Sequence, residues 1–470
     1  MKKLLIVTAL AAAVTSPLTA QDPTRLYTNP CVPPREVLDR LRLQAAWSAV
    51  VPTDGRRDGL YSVQLAPRDK GLDLLVQTRS GGIHCYDANS GLLRWSTRVG
   101  TPYHVSQPLA YNGESVFAIS NIDLFALDRA TGRAQWDYEL PSGAAAAPGV
   151  DADQMYLSLT NGRVVTYALP NLAYWAQMVR QGKAPGMAGT VEAARARKGI
   201  DLIAVGPLSG VHESMRVAHL GPQPLERFSF IPEESVRLPP VVAQDRVVLL
   251  GAGGAIMAVA KTGPKVPWRP VYTRGKIQVP AGQYDETAYV ASEDFTTYAI
   301  SATNGRVFWR YGAGGPPLER PAALDEDVYV AAARSGLARV DRGSGEERWG
   351  NEDATRFLAS NMKFVYAADR TGRLLVLDRA RGTTLSTYDC ARYFVVPVQN
   401  DLTDRLYLAA NNGLIVCLHD RDTATPLAMK TVKERAPLPV PGGAKPGVPE
   451  PAEPPAPVKP KPAAGAMDKP

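Results

Sequence analysis

Cysteine is scarce in this chain. Its 470 residues hold four, Cys31, Cys85, Cys390 and Cys417, and no two are adjacent or spaced as Cys-x-x-Cys. That argues against a disulfide-built scaffold and a haem-attachment site. The sequence leaves the pairing open; Cys31 with Cys390 is the pair expected if the N-terminal arm reaches the outer edge of the fold. HExxH, Walker-type and GxSxG motifs are also absent, which removes common signatures of zinc, nucleotide and serine hydrolases. Charge of one sign is thin. The formal net charge is +7, and about +5 is left once Lys2 and Lys3 depart with the leader described below, a weak field over such a length. The one basic cluster, Arg195, Arg197 and Lys198, reads as a solvated helix face, so nucleic acid is not an expected partner. Beyond the N-terminus no apolar run approaches the roughly 20 residues that a membrane-spanning helix needs.

The N-terminus itself reads as an export signal over residues 1–20. Lys2 and Lys3 precede the apolar run LLIVTALAAAV, and LTA-QD offers a cleavage site after Ala20. No cysteine stands at that site, which speaks against a lipid anchor there. The mature protein is expected to be exported, periplasmic or secreted, and not membrane-spanning.

Glycine and proline are plentiful, 40 of each, which suits many short strands joined by turns. A repeat then appears. YDANSGLLRW ends at Trp95 and LDRATGRAQW at Trp136, 41 residues later. Related copies end at Trp268, Trp309 and Trp349, and LDRARGTTLS carries Ser386 in the tryptophan place. Eight β-branched or aromatic runs lie upstream, such as SVFAIS, TAYVAS and DVYVAA. Most are followed by a turn, and a second short strand comes next. The unit is four strands in about 40 residues, the size of a propeller blade.

The repeated residues have physical roles in such a unit. Asp87, Asp128, Asp341 and Asp378 end the third strand, where a carboxylate can accept backbone N–H bonds and hold a turn. Gly91, Gly132, Gly305, Gly345 and Gly382 follow four positions after the acid or its replacement, where a positive φ closes the loop. Trp95, Trp136, Trp268, Trp309 and Trp349 are expected to dock each blade on a neighbour, each worth on the order of 4–6 kcal/mol before entropy. These are scaffold roles; no catalytic, cofactor or metal residue is assigned. His84-Cys85 and Cys417-x-His419 fall in the third strands of neighbouring blades, but sheets about 10 Å apart do not bring them to one ion.

The rhythm breaks between about 171 and 240. An insertion within or after the third blade is the first choice, with a ninth, eroded blade as the second. Trp175 stands where a degenerate docking tryptophan would, and TVEAARARKG looks helical. Long insertions on repeat proteins often bind something. At the front, residues 21–58 form an N-terminal arm with a short helix from Glu36 to Gln44. A strand around Trp47 is expected to pair with the blade of 404–428 and close the ring. Residues 431–470 make a proline-rich, disordered tail, with 12 prolines between 436 and 470, a spacer or a partner's ligand.

The blade consensus, carried by VYVAAARSGLARVDRGSGEERW and FVYAADRTGRLLVLDRARG, resembles the pyrroloquinoline-quinone-like (PQQ-like) β-propeller repeat over about Gly59 to Lys430. The resemblance implies an all-β, eight-bladed propeller of four-stranded antiparallel blades. Two groups share the repeat. One is the non-enzymatic propeller lipoprotein of the outer-membrane barrel-assembly machinery. The other is the quinoprotein dehydrogenases, which hold PQQ and calcium on the axis. The vicinal cysteine pair of many such dehydrogenases is missing, as is the lipid-attachment cysteine of the assembly protein. The reading is a non-catalytic, exported scaffold without cofactor, binding envelope or secreted proteins as a monomer in a larger assembly. The alternative is a PQQ-dependent alcohol or sugar dehydrogenase with calcium.

Overall fold

The computed structural model describes residues 30–54, 57–170, 223–390 and 398–432. The leader, Trp175, the TVEAARARKG segment and the proline-rich tail beyond Val432 lie outside the described residues.

The sequence alternates short β-branched and aromatic runs with glycine turns, and that pattern dictates hairpins. Gly81, Gly162, Gly254, Gly336, Gly372 and Gly413 take positive φ between successive strands, where a side chain would be strained. The result is eight antiparallel sheets. Blade 1 has strands Leu60–Arg68, Gly71–Thr78, Gly82–Asp87 and Leu93–Arg98; blade 2 runs from Ala110–Tyr111 to Ala134–Glu139. Blade 3 runs from Gly149–Val150 to Leu225–Phe230, and blade 4 from Val241–Val242 to Val271–Tyr272. Blade 5 runs from Gly282–Tyr284 to Val307–Gly312, blade 6 from Ala322–Ala323 to Glu347–Asn351, and blade 7 from Ala354–Ser360 to Thr384–Asp389. In each of these seven the strands pair in chain order.

Blade 8 closes the ring with both ends of the chain. Its strands Leu406–Ala409 and Leu414–Asp420 pair with the N-terminal strand Leu43–Val50, in the order N-terminal strand, Leu414–Asp420, Leu406–Ala409. Trp47 faces Cys417 across that ladder. The core is a set of apolar layers between blades, for example Leu75, Cys85, Trp95, Val116 and Phe125 between blades 1 and 2.

Three details differ from the sequence reading. The segment from Leu225 is not part of the insertion: Ala168 pairs with Leu225 and Val164 with Phe230, so the outer strand of blade 3 resumes there. The insertion therefore leaves between the third and fourth strands of blade 3. The N-terminal helix α1 is shorter than expected, Arg35–Arg40. Arg42 takes a φ of 58°, which no helix continues through, and the strand begins at Leu43. Finally, all four cysteines are free thiols: Cys31 is exposed, whereas Cys390 is buried in a cluster with Leu38 and Leu41. No helix among the described residues is long and apolar enough to cross a membrane.

Candidate functional site

The repeated motif acts between blades rather than within one. Trp95, on the outer strand of blade 1, donates its indole Nε1–H to Arg129 O of blade 2 at 2.8 Å. Its ring lies on Gly132, where a Cβ would come within 2.4 Å of Trp95 Cε3, at a φ of +71°. Four more seats repeat this. Trp47 donates to Ala88 O and lies on Gly91; Trp268 donates to Ala302 O and lies on Gly305. Trp309 donates to Arg342 O and lies on Gly345; Trp349 donates to Arg379 O and lies on Gly382. The acid shapes the loop that presents this seat. Asp128 Oδ1 accepts from Thr131 N and Oγ1, both at 2.7 Å, and Gly132 N reaches Asp128 O at 2.7 Å. Asp87, Asp341 and Asp378 accept from Ser90 N, Ser344 N and Arg381 N in the same way. Arg348 pairs with Asp341 and, together with the Ser344 N–H, holds its carboxyl at about 2.

Among the described residues, three interfaces do not show the full seat. Trp136 is 1% exposed and packs near Phe117, but the loop that would receive it is where the insertion departs. A bulge follows the tryptophan pairing in blades 1 and 2, and the same bulge in blade 3 places Phe228 in that position, opposite Thr166. Ser386 occupies it in blade 7, opposite Val376. There Leu38 and Leu41, around the end of α1, join Tyr388 and Cys390 in the cluster between blades 7 and 8. Phe228 carries no repeat signal, because only the ladder register reveals it; the helix is expected from the sequence, but its place in this layer shows only in the tertiary packing.

His84 and Cys85 do not meet Cys417 and His419. Cys85 lies in the layer between blades 1 and 2, and Cys417 in the layer between blades 8 and 1. Blade 1 stands between them.

The ring encloses an axial channel whose mouth has a volume of about 570 Å³. Connections in an antiparallel meander alternate between two faces. The mouth opens among the turns between first and second strands, and the insertion leaves blade 3 on that same face. Tyr111, Pro240, Pro280, Glu286, Arg320, Asp401 and Lys430 line it. Arg320 of blade 6 reaches Asp401 of the blade 8 segment at 3.3 Å, and Lys430 reaches the same carboxylate at 2.8 Å. Burial pushes the Asp401 carboxyl up, but the two cations pull it further down, to about 2. Deeper in the channel Glu319 accepts from Phe357 N at 2.6 Å. Burial pushes Glu319 to about 7, against the pull of the Phe357 N–H, Arg356 and Arg320. These carboxylates are engaged by the protein's own donors, and no group of three or more His, Cys, Asp or Glu converges among the described residues. On the opposite face Tyr61, Tyr103 and Val105 are exposed, with Tyr61 OH donating to Ser106 O at 2.5 Å.

A family model described as the outer membrane protein assembly factor BamB matches residues 47–178 and 223–442, about three quarters of the chain. The chain belongs to the BamB family. A curated relative, BamB of Moranella endobia (strain PCIT), is 24% identical over 197 residues, covering 38% of this chain and 50% of that protein. The chain thus spans half the length of that BamB. Among solved structures, BamB from Moraxella catarrhalis superposes with a TM-score of 0.54 at 17% identity, over 80% of this chain and 97% of that one. The computationally designed Ika8 protein reaches 0.52 at 12% identity, over 79% and 99%. The C-terminal WD40 domain of Sif2 reaches 0.52 at 10% identity, over 80% and 98%. These likenesses speak for the propeller fold that BamB shares with unrelated proteins.

Proposed function

We propose that this protein is an exported, non-catalytic member of the BamB family that binds envelope proteins and serves outer-membrane protein assembly as a rigid scaffold. The observation that carries the reading is the family match, which runs along both sides of the insertion and through the whole ring. The occupied axial carboxylates support a non-catalytic axis. The rigid ring presents two loop-bearing faces, one with the insertion and the axial mouth, the other with Tyr61, Tyr103 and Val105.

Affinity capture from an envelope extract tests it, using the full chain, a variant lacking 171–222, and Val105→Asp. The reading expects an outer-membrane assembly protein to be recovered with the full chain and lost with at least one variant. Recovery of nothing above the control overturns it. N-terminal sequencing of the envelope-borne protein is expected to start at Gln21. Dye-linked alcohol or sugar oxidation after incubation with PQQ and calcium would overturn the non-catalytic part.

A further inference from the structure

After its last strand the chain does not leave the ring. Residues 427–432 run along the axial mouth as a strap, bridged at Ala428 to Thr403. Leu427 N donates to Asp404 Oδ1 at 2.9 Å, and Met429 N to Leu402 O at 2.8 Å, both in the blade 8 segment. On its other side Met429 O accepts from Asp325 N of blade 6 at 3.0 Å. Thr431 N and Oγ1 then donate to the two oxygens of Asp325 at 2.7 and 3.0 Å. Besides Thr431, two strap side chains are anchored. Met429 is buried in the layer with Leu324 and Phe357, and Lys430 points onto Asp401. Leu427 and Val432 are 38% and 54% exposed.

The strap therefore reads out a groove: a backbone track on two blades, an apolar socket, then a carboxylate for an ammonium. It fills only one side of the mouth. Among the described residues nothing covers the side formed by blades 4 and 5, which is lined by Pro240, Gln244, Pro280 and Glu286. There Glu286 Oε1 accepts from Gln244 N at 2.9 Å, while Oε2 is out of solvent with no donor among the described residues. We propose that the axial mouth is a binding groove for an extended polypeptide bearing an apolar residue followed by lysine or arginine, and that the strap occupies half of it in cis. The proposal rests on the protein-binding reading above and narrows it to one site and one partner chemistry. The backbone track supplies affinity for any extended chain, and the Met429 socket and Asp401 select the pattern. Charge complementarity favours a basic partner, since Asp401 already accepts a cation. A tethered strap competes at high effective concentration, so a free peptide binds the intact protein weakly.

The test uses a fluorescein-labelled peptide TPLAMKTV, the sequence of residues 425–432, and fluorescence anisotropy. The full chain carrying Met429→Ser with Lys430→Ala, checked as folded by circular dichroism, is expected to bind the peptide at least ten times more tightly than the unaltered chain. Adding Asp401→Asn is expected to weaken that binding about tenfold, and replacing the peptide's lysine by alanine to do the same. No saturable binding to the folded strap variant, or equal binding with and without Asp401→Asn, overturns the proposal. Should the strap variant not fold, hydrogen exchange on the unaltered chain decides. Millimolar peptide should speed exchange at the amides of Leu427, Met429 and Thr431, and unchanged rates overturn the proposal. Envelope capture that persists when the peptide does not bind would remove the groove and leave the scaffold reading standing.

Discussion

At the rim of this ring, five indoles from five blades sit on five glycines of the next blades, each with its N–H on the carbonyl that follows the acid position. At the axis, Arg320 comes from blade 6, Asp401 from the blade 8 segment and Lys430 from the strap, and this set of charges does not recur among the described residues. The rim repeats one solution because every interface poses the same problem, a flat sheet with an apolar face to cover. The axis is a single place shared by all blades, so each contributes something different. Repetition marks what holds the ring together, and departure from it marks where the ring can be specific.

Removing an indole should have the largest effect. Trp309→Ala is expected to cost about 3–5 kcal/mol through the cavity it leaves on Gly345, read from urea denaturation, whereas Ser386→Ala at the equivalent place should cost less than about 0.5 kcal/mol. Equal losses would erase the distinction between complete and incomplete seats. Next comes the seat itself. Gly132 and Gly162 both take positive φ, but only Gly132 would press a Cβ on an indole, while Gly162 faces open space. Gly132→Ala should therefore cost about 2–4 kcal/mol and Gly162→Ala about 1, and similar values would assign the glycines to turn geometry alone.

The axis answers to pH instead. Glu319 has its folded pKa raised to about 7 from 4.5, so the neutral form is the one that the fold favours. Its contribution is full below about 4.5 and is lost as pH rises through 7. Relative to Glu319→Gln, the unaltered protein should lose on the order of 1–3 kcal/mol between pH 4.5 and 8, measured by denaturation at both ends. A flat difference would place that carboxyl in water. The smallest effect sharpens the rim. Ser386→Trp alone should change stability by less than about 1 kcal/mol or lower it, because Ala424 stands where the seat glycine would. Adding Ala424→Gly should turn the sign. An indole that stabilises without its glycine would show that the two are independent.

Legibility followed the same division. The strand runs, the turn glycines and the acid-to-tryptophan loop could be read because each repeats within a span of about ten residues. Their pairing could not, since Trp95 and Gly132 belong to different copies and a repeat does not say which copy meets which. Phe228 escaped notice because the insertion separates it from its partner Thr166. Leu38 and Leu41 stand in for a missing ring from far outside the repeat. Arg320, Asp401 and Lys430 meet only when the circle is complete, so no local pattern announces them.

That circle has a consequence for how the molecule is made. Arg42 and Asp422, 380 residues apart, are bonded beside the seam, and the strand next to Arg42 leaves the ribosome first yet pairs with nearly the last one synthesised. Every earlier blade must form while its future neighbour is missing and one apolar flank stands open, so a chain cut short anywhere before Leu414 would carry a permanently uncovered edge. The join therefore works as a completeness check written into the order of translation.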